Sequence, residues 1–255
     1  GWVWDIGLQK RRGIGHVYSS RHMDDTQAEE IARRYVGASA DKLEAQHLKF
    51  ETGYRPEHWR GNCVAVGLAG GFVEPLESTG IALVELAVCM LTHLFPADHD
   101  DMERTARRFN EMMVARYERI IDFIKMHYCL SQRRDSAFWI DNSNPASIPQ
   151  SLRDRLQLWR RRPPHRLDFV TDLEMFMPAS WQYVLYGMEF KTDLEHARSA
   201  WPQMDEARRE FAMIRRVAER ALQDLPDHRA LVEQLCRQHA QRNPVRTGEP
   251  VAVGG

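Results

Sequence analysis

Between residues 102 and 128 the apolar side chains step by three and four positions: Met102, Ala106, Phe109, Met113, Tyr117, Ile120, Ile124 and Tyr128, with arginines and glutamates between them. That spacing predicts one long helix with a single apolar stripe. A helix of this kind must bury its stripe against other layers. The run before it, residues 81–95, is apolar almost all round and carries Glu85 and His93. It predicts a second helix buried on every side, stopped by Pro96 and too short to cross a bilayer.

Upstream of residue 79 the pattern is strand-like. Trp2, Val3, Trp4 and Ile6 form a large apolar run, Gln9 to Gly13 supplies a turn, and residues 16–19 extend again. Asp24, Asp25 and Thr26, with Glu29 three residues after Thr26, predict a capped helix to about Tyr35. Residues 47–52 and 61–66 read as further strands, the second of them buried. Downstream, residues 142–149 form an Asn-, Ser- and Pro-rich loop, residues 151–161 a short helix, and residues 205–240 one or two more. The fold class is α+β, a strand-rich segment followed by a mostly helical part. We divide it at residues 1–95, 96–241 and a Pro- and Gly-rich tail, 242–255, expected to be mobile.

The chain has 255 residues, enough for a sizeable core, with 43% hydrophobic and 28% charged residues. A formal net charge of −1 gives no general pull toward nucleic acid or an acidic membrane. The cysteines Cys63, Cys89, Cys129 and Cys236 lie far apart without a C-x-x-C pair, which reads as reduced thiols in a cytoplasmic protein. The chain opens on Gly1 inside the aromatic strand motif, and we read it as a fragment whose upstream part is missing. Asp98, His99, Asp100 and Asp101 read as first-turn acids of the long helix and not as a metal site. The Trp159 to Pro164 run reads as a solvated helix end.

The chemistry concentrates in Gly67-Leu68-Ala69-Gly70-Gly71-Phe72-Val73-Glu74-Pro75-Leu76-Glu77-Ser78-Thr79-Gly80-Ile81. A strand ends in small residues, passes a Pro-fixed turn and enters the apolar helix at Ser78 or Thr79. Small residues admit a ligand close to the backbone, and the helix start offers N–H groups to an anion. The pattern alone leaves two readings open: an ordinary capped corner, or a ligand site carrying Glu74 and Glu77.

This segment, beginning at Gly61-Asn62-Cys63, resembles the signature of flavin-dependent tryptophan halogenases nearly residue for residue. Trp2-Val3-Trp4-Asp5-Ile6 resembles the same family's W-x-W-x-I-P motif. His127-Tyr128-Cys129 followed by Arg134-Asp135-Ser136-Ala137-Phe138-Trp139 is similar to another of its stretches. The resemblance runs over roughly residues 1–190.

The resemblance implies the C-terminal part of a flavin monooxygenase-like two-domain fold. It implies an enzyme that uses reduced FAD, oxygen and chloride or bromide to halogenate an electron-rich, tryptophan- or indole-like aromatic substrate. A separate flavin reductase and the missing N-terminal half would be its partners. Thr79 and Gly80 would hold the halide, and Leu68, Gly80 and Ile81 would contact the isoalloxazine, with Trp2 and Trp4 walling the flavin side. Glu77 would be the acid/base partner in the substitution, and Ser78 would support the tunnel lining. For the two tryptophans, a plain core role fits as well.

Gly7 stands where the family has Pro. Ser180-Trp181-Gln182-Tyr183 resembles its N-Y-Y segment. Counting back puts Phe176 where tryptophan halogenases carry a stacking Trp, Met175 at a Phe position and Thr171 at an acidic one. With Ser180, these are the expected substrate residues, and the loss of the acid argues for an indole or phenol over free tryptophan. A plain core role is the alternative for these positions. The family's catalytic lysine and the G-x-G-x-x-G fold that holds the ADP part of FAD lie outside the chain, so the isolated fragment is expected to be inactive. Two alternatives remain: a related flavin-dependent aromatic hydroxylase, and a non-catalytic helical binding module.

Overall fold

The computed structural model describes residues 1–8, 11–170, 173–195 and 202–242. The chain divides into two compact units, Gly1–Leu194 and Glu195–Gly255. The first begins with an antiparallel hairpin, β1 (Trp2–Gly7) and β2 (Arg12–Val17), in which Trp4 faces Gly15. A Cβ on Gly15 would come within 2.3 Å of the Trp4 indole, so this glycine is what lets the ring lie flat across the partner strand. Helix α1 (Asp25–Val36) follows. Its cap is a box formed by Asp24 with Gln27, two residues earlier than the expected pair Thr26 and Glu29.

The expected strands at 47–52 and 61–66 are nearly absent. Residues 47–52 have no regular structure, and only Cys63–Val64 (β5) pairs, with Trp59–Arg60 (β4). Gly53–Tyr54 (β3) pairs with Gly71–Phe72 (β6). The segments alternate poorly and are cut by glycines, so they make two-residue ladders and no wider sheet.

Helices α2 (Gly80–Leu94) and α3 (Met102–Leu130) are the two predicted from periodicity. Every predicted stripe residue of α3 from Ala106 to Tyr128 is buried, with Phe109 and Ile120 sealed completely. They pack with Trp59, Leu83, Ala87, Met90 and Trp139 into one core. The stripe is only half of what α3 buries. Phe123 and Met126 lie off it and belong to a second core with Leu152, Trp159, Trp181 and Leu185. Helices α5 (Gln150–Trp159) and α6 (Pro178–Gly187) line this second core, while α4 (Ala137–Ser143) adds Trp139 to the first, so α3 is a spine between two cores.

Two expectations need correction here. Helix α2 is not buried all round: Leu83, Ala87 and Met90 face the core, while Ile81 and Val88 are exposed. The Trp159 to Pro164 run is not simply a solvated helix end. Trp159 is completely buried, and its indole N–H donates to Asp168 at 3.0 Å while Arg162 pairs with the same carboxylate. Burial alone would raise Asp168, but Arg162, the His165 N–H and Trp159 together hold it down at about 2.

The second unit contains α7 (Met204–Asp224) and α8 (His228–Arg242), with exposed Phe211, Ile214, Val217 and Leu222 along α7. The expected tail, residues 243–255, lies outside the described residues. All four cysteines are unpaired. No helix among the described residues is long and apolar enough to cross a membrane.

The contrast within α2 and α3 is measurable. Phe109→Ala empties a sealed site and should cost about 3–5 kcal/mol in urea unfolding. Ile81→Ala, on a residue 85% exposed, should stay within about 0.5 kcal/mol of wild type. Equal losses for the two would contradict this placement of the core.

Candidate functional site

The corner between β6 and α2 is built by two consecutive constraints. Pro75 opens a 3-10 turn, Pro75–Glu77, closed by the Ser78 N–H donating to the Pro75 carbonyl at 3.1 Å. Ser78 then takes φ 54° and ψ 35°, the left-handed region that costs a residue with a Cβ about 1–2 kcal/mol. Its side chain is exposed. Helix α2 starts immediately afterwards, and Thr79, its buried N-cap residue, makes no side-chain cap. The first-turn N–H groups of α2 are therefore left to a ligand or water.

On one side of the corner lies an apolar cavity of about 230 Å³. It brings together the expected Leu68, Gly80 and Ile81 with Gly67, Phe72, Val84 and Tyr117. Tyr117 is held in a three-ring stack, 5.0 Å from Tyr54 and 5.4 Å from the buried His58. Burial pushes the His58 imidazole toward its neutral form. Gly80 has open space where a Cβ would stand, so a planar group can approach its backbone. Leu68 and Ile81 are 80% and 85% exposed at this mouth, as expected of apolar residues that wait for a flat apolar partner. Trp2 and Trp4 do not line this cavity. Trp2 packs at the margin of the first core, and Trp4 lies across the hairpin.

The two glutamates are sorted by consecutive residues of α3. His127 Nε2 lies 2.8 Å from Glu77 Oε1, and the Tyr128 hydroxyl donates to Glu74 Oε1 at 2.5 Å. Neighbours on a helix point about 100° apart, so α3 can hold the two carboxylates separately. Burial raises the Glu74 pKa from the ordinary 4.5, although the Tyr128 hydroxyl opposes this. Burial likewise raises the Tyr128 phenol, helped by the facing carboxylate. Glu77 keeps its side chain 29% exposed.

Phe176 stacks on Phe123 at 3.8 Å, and Phe123 meets the His127 ring edge-on at 5.1 Å. The expected substrate residue is thereby joined to the glutamate corner through α3. Met175 packs at the edge of the first core, and Ser180 lies in the first turn of α6. Thr171 lies outside the described residues. No group of three or more metal-ligating side chains occurs among the described residues.

Sequence reasoning assigned no role to His127, Tyr128 or Phe123. No local signal points to one: His127 and Tyr128 stand four residues after Phe123 and Ile124 on α3, but the glutamates they meet lie 50 and 54 residues earlier. Sequence reasoning also missed Glu174, which is nearly sealed and pairs with Arg119 at 2.9 Å and Arg155 at 3.7 Å. Arg155 in turn lies over the Trp181 ring at 5.0 Å.

Glu74 makes a testable pH contribution. Because its folded value is raised, its protonated form is the better folded, and ionisation costs stability as pH climbs above 4.5. That cost is complete once pH passes the folded value. Glu74→Gln keeps an acceptor for Tyr128 and removes the charge. The variant should therefore gain stability relative to wild type between acid and neutral pH, read as the difference in urea midpoints. A gap that shrinks or reverses on going to neutral pH would contradict the burial of this charge.

The tryptophan halogenase family model matches residues 1–202. The 7-chloro-L-tryptophan 6-halogenase KtzR of Kutzneria sp. (strain 744) is 33% identical over 228 residues, 89% of this chain and 44% of KtzR. A crystal structure of the tryptophan halogenase of Shewanella frigidimarina NCIMB 400 is 40% identical with TM-score 0.86, covering 93% of this chain and 45% of its own. The flavin-dependent halogenase BrvH of Brevundimonas sp. BAL3 is 33% identical with TM-score 0.78, over 92% of this chain and 46% of BrvH. The chain thus spans under half the length of these relatives. With the corner, its two glutamates and the family match over residues 1–202 in agreement, the chain belongs to the tryptophan halogenase family.

Proposed function

We propose that this chain carries the substrate side, and one wall of the flavin site, of a halogenase acting on an electron-rich, indole-like ring. The observation that carries the reading is the two-sided corner. Within five residues, Glu77 turns to the His127 and Phe123 side, while Gly80 and Ile81 open on an apolar cavity.

The cavity suits the edge of an isoalloxazine. It is apolar, flanked by exposed Leu68 and Ile81, and open at Gly80. When bound, reduced FAD would supply the oxygen chemistry that turns halide into an electrophile. The uncapped start of α2 at Thr79 and Gly80 would hold the halide, since N–H groups and the helix dipole both favour an anion. The adenosine side of FAD, and the lysine that the resemblance implies, are assigned to sequence outside this chain, and a separate reductase to the supply of reduced flavin.

Glu77 would face the ring during substitution. A ring attacked by an electrophile becomes cationic and must lose a proton, and a carboxylate stabilises the first and accepts the second. Phe176, with one face on Phe123, would wall the aromatic chamber together with Met175 and Ser180. Thr171, at the position where the resemblance implies an acidic residue, supports an indole or phenol without a free amino-acid group over tryptophan itself.

The test uses the full-length protein. Glu77→Gln should consume reduced flavin and oxygen at the wild-type rate while halogenated product forms about 10²–10⁴ times more slowly. Glu74→Gln should affect turnover less. Wild-type product formation by Glu77→Gln would overturn the assignment.

A further inference from the structure

Among the described residues that line the apolar cavity beside the corner, Tyr117 carries the one polar side chain; the others are glycines, aliphatic residues and Phe72. Tyr117 is 2% exposed, and its hydroxyl has no hydrogen-bond partner among the described residues. A polar group taken out of bulk water and left unmatched destabilises the fold unless something else bonds to it. The cavity is the one place beside this ring where a ligand can do so.

The ring that carries the hydroxyl is held in place. Tyr54 stacks on it with centroids 5.0 Å apart and planes 10° from parallel, and His58 does so at 5.4 Å and 22°. With its faces given to these two neighbours, Tyr117 meets the cavity through its edge. The glycines of the signature segment make the stack possible. A Cβ on Gly70 would stand 2.8 Å from His58 Cδ2, and one on Gly71 would stand 2.7 Å from Tyr54 Cβ. His58 is sealed at 2% exposure, with neither ring nitrogen hydrogen-bonded, and it does not line the cavity. Its part is to fix the plane of Tyr117.

We propose that the Tyr117 hydroxyl is a binding contact for the flat heteroaromatic ligand of this cavity, donating a hydrogen bond to an acceptor on that ligand's edge. The assignment rests on the reading of the cavity as one wall of the isoalloxazine site. An isoalloxazine carries carbonyl oxygens and ring nitrogens along one edge, while the rest of its ring system suits the apolar wall at Leu68, Ile81 and Val84. Burial raises the phenol above its ordinary pKa of 10, so at neutral pH it keeps its hydrogen and can donate. One placed polar group in an otherwise apolar pocket fixes a ligand's orientation. A flat hydrocarbon of the same size would fill the space and leave the hydroxyl unmatched.

Tyr117→Phe keeps the stacked ring and removes only the oxygen. In the full-length protein without FAD, its urea midpoint should equal or exceed that of wild type, because the hydroxyl bonds to nothing else in the described chain. FAD should bind the variant about two- to tenfold more weakly, read by titration of flavin fluorescence. A lowered midpoint without FAD, or an unchanged FAD dissociation constant, would overturn the proposal. Gly80→Leu tests the reading underneath it. Open space at its Cβ lets the fold accept the side chain, which should then obstruct the cavity and weaken FAD. Weakened FAD in Gly80→Leu with unchanged FAD in Tyr117→Phe removes the hydroxyl contact and leaves the flavin wall standing. Unchanged FAD in both variants removes the flavin wall and the contact together.

Discussion

A 29-residue helix such as α3 runs about 43 Å, longer than the thickness of any single layer it packs against. Its burial therefore cannot come from one neighbour. The stripe from Ala106 to Tyr128 closes on α2, β4 and α4, while Phe123 and Met126 close on α5 and α6. Both cores meet near the C-terminal end of α3, where Phe123, Ile124, Met126 and Tyr128 are all buried. That end is covered by both cores, and it is the stretch that presents His127 and Tyr128 to the two glutamates. A carboxylate whose partner is anchored by two cores loses little further freedom on pairing, so its orientation follows from packing far from the corner.

The order of elements was legible because it rests on local signals. Period three-four spacing located α3, Pro96 ended the apolar run, and the Trp2 to Ile6 run located β1. What was not legible depended on partners distant in sequence. A stripe reports one buried face, so nothing in the spacing announced that α3 is covered on a second side by residues more than twenty positions away. The strands at β3 to β6 have the composition of strands, but too few neighbours to extend them. The same limit hid the role of His127, whose meaning depends on Glu77, fifty residues earlier, meeting it in space.

Glu74 and Glu77 differ by three positions, yet their environments separate them. Glu74 precedes Pro75, faces the core side and spends its charge against Tyr128 under heavy burial. Glu77 ends the 3-10 turn, keeps contact with solvent and meets an imidazole in place of a phenol. A phenol lends a hydrogen without lending charge, whereas an imidazole can lend both. Two like residues in one short segment thus acquire unlike surroundings: one is held against Tyr128 and the other lies beside His127 with its side chain partly open to solvent.

The left-handed Ser78 joins these surroundings to the cavity. An ordinary helical residue there would continue the 3-10 turn into α2 and carry Glu77 and Gly80 along one continuous spiral. The reversal at Ser78 instead sets Glu77 toward α3 and lets α2 start afresh, its first N–H groups uncapped and its Gly80 open at the mouth of the apolar cavity. The backbone strain of about 1–2 kcal/mol at one residue is small against the burial of Thr79 and Leu83 just beyond it, which pins the start of α2 to the core. Strain held in this way keeps a charged group and an apolar cavity within five residues of each other without letting either open onto the other. On the function proposed above, that separation would keep the place where an electrophile forms apart from the place where it is used.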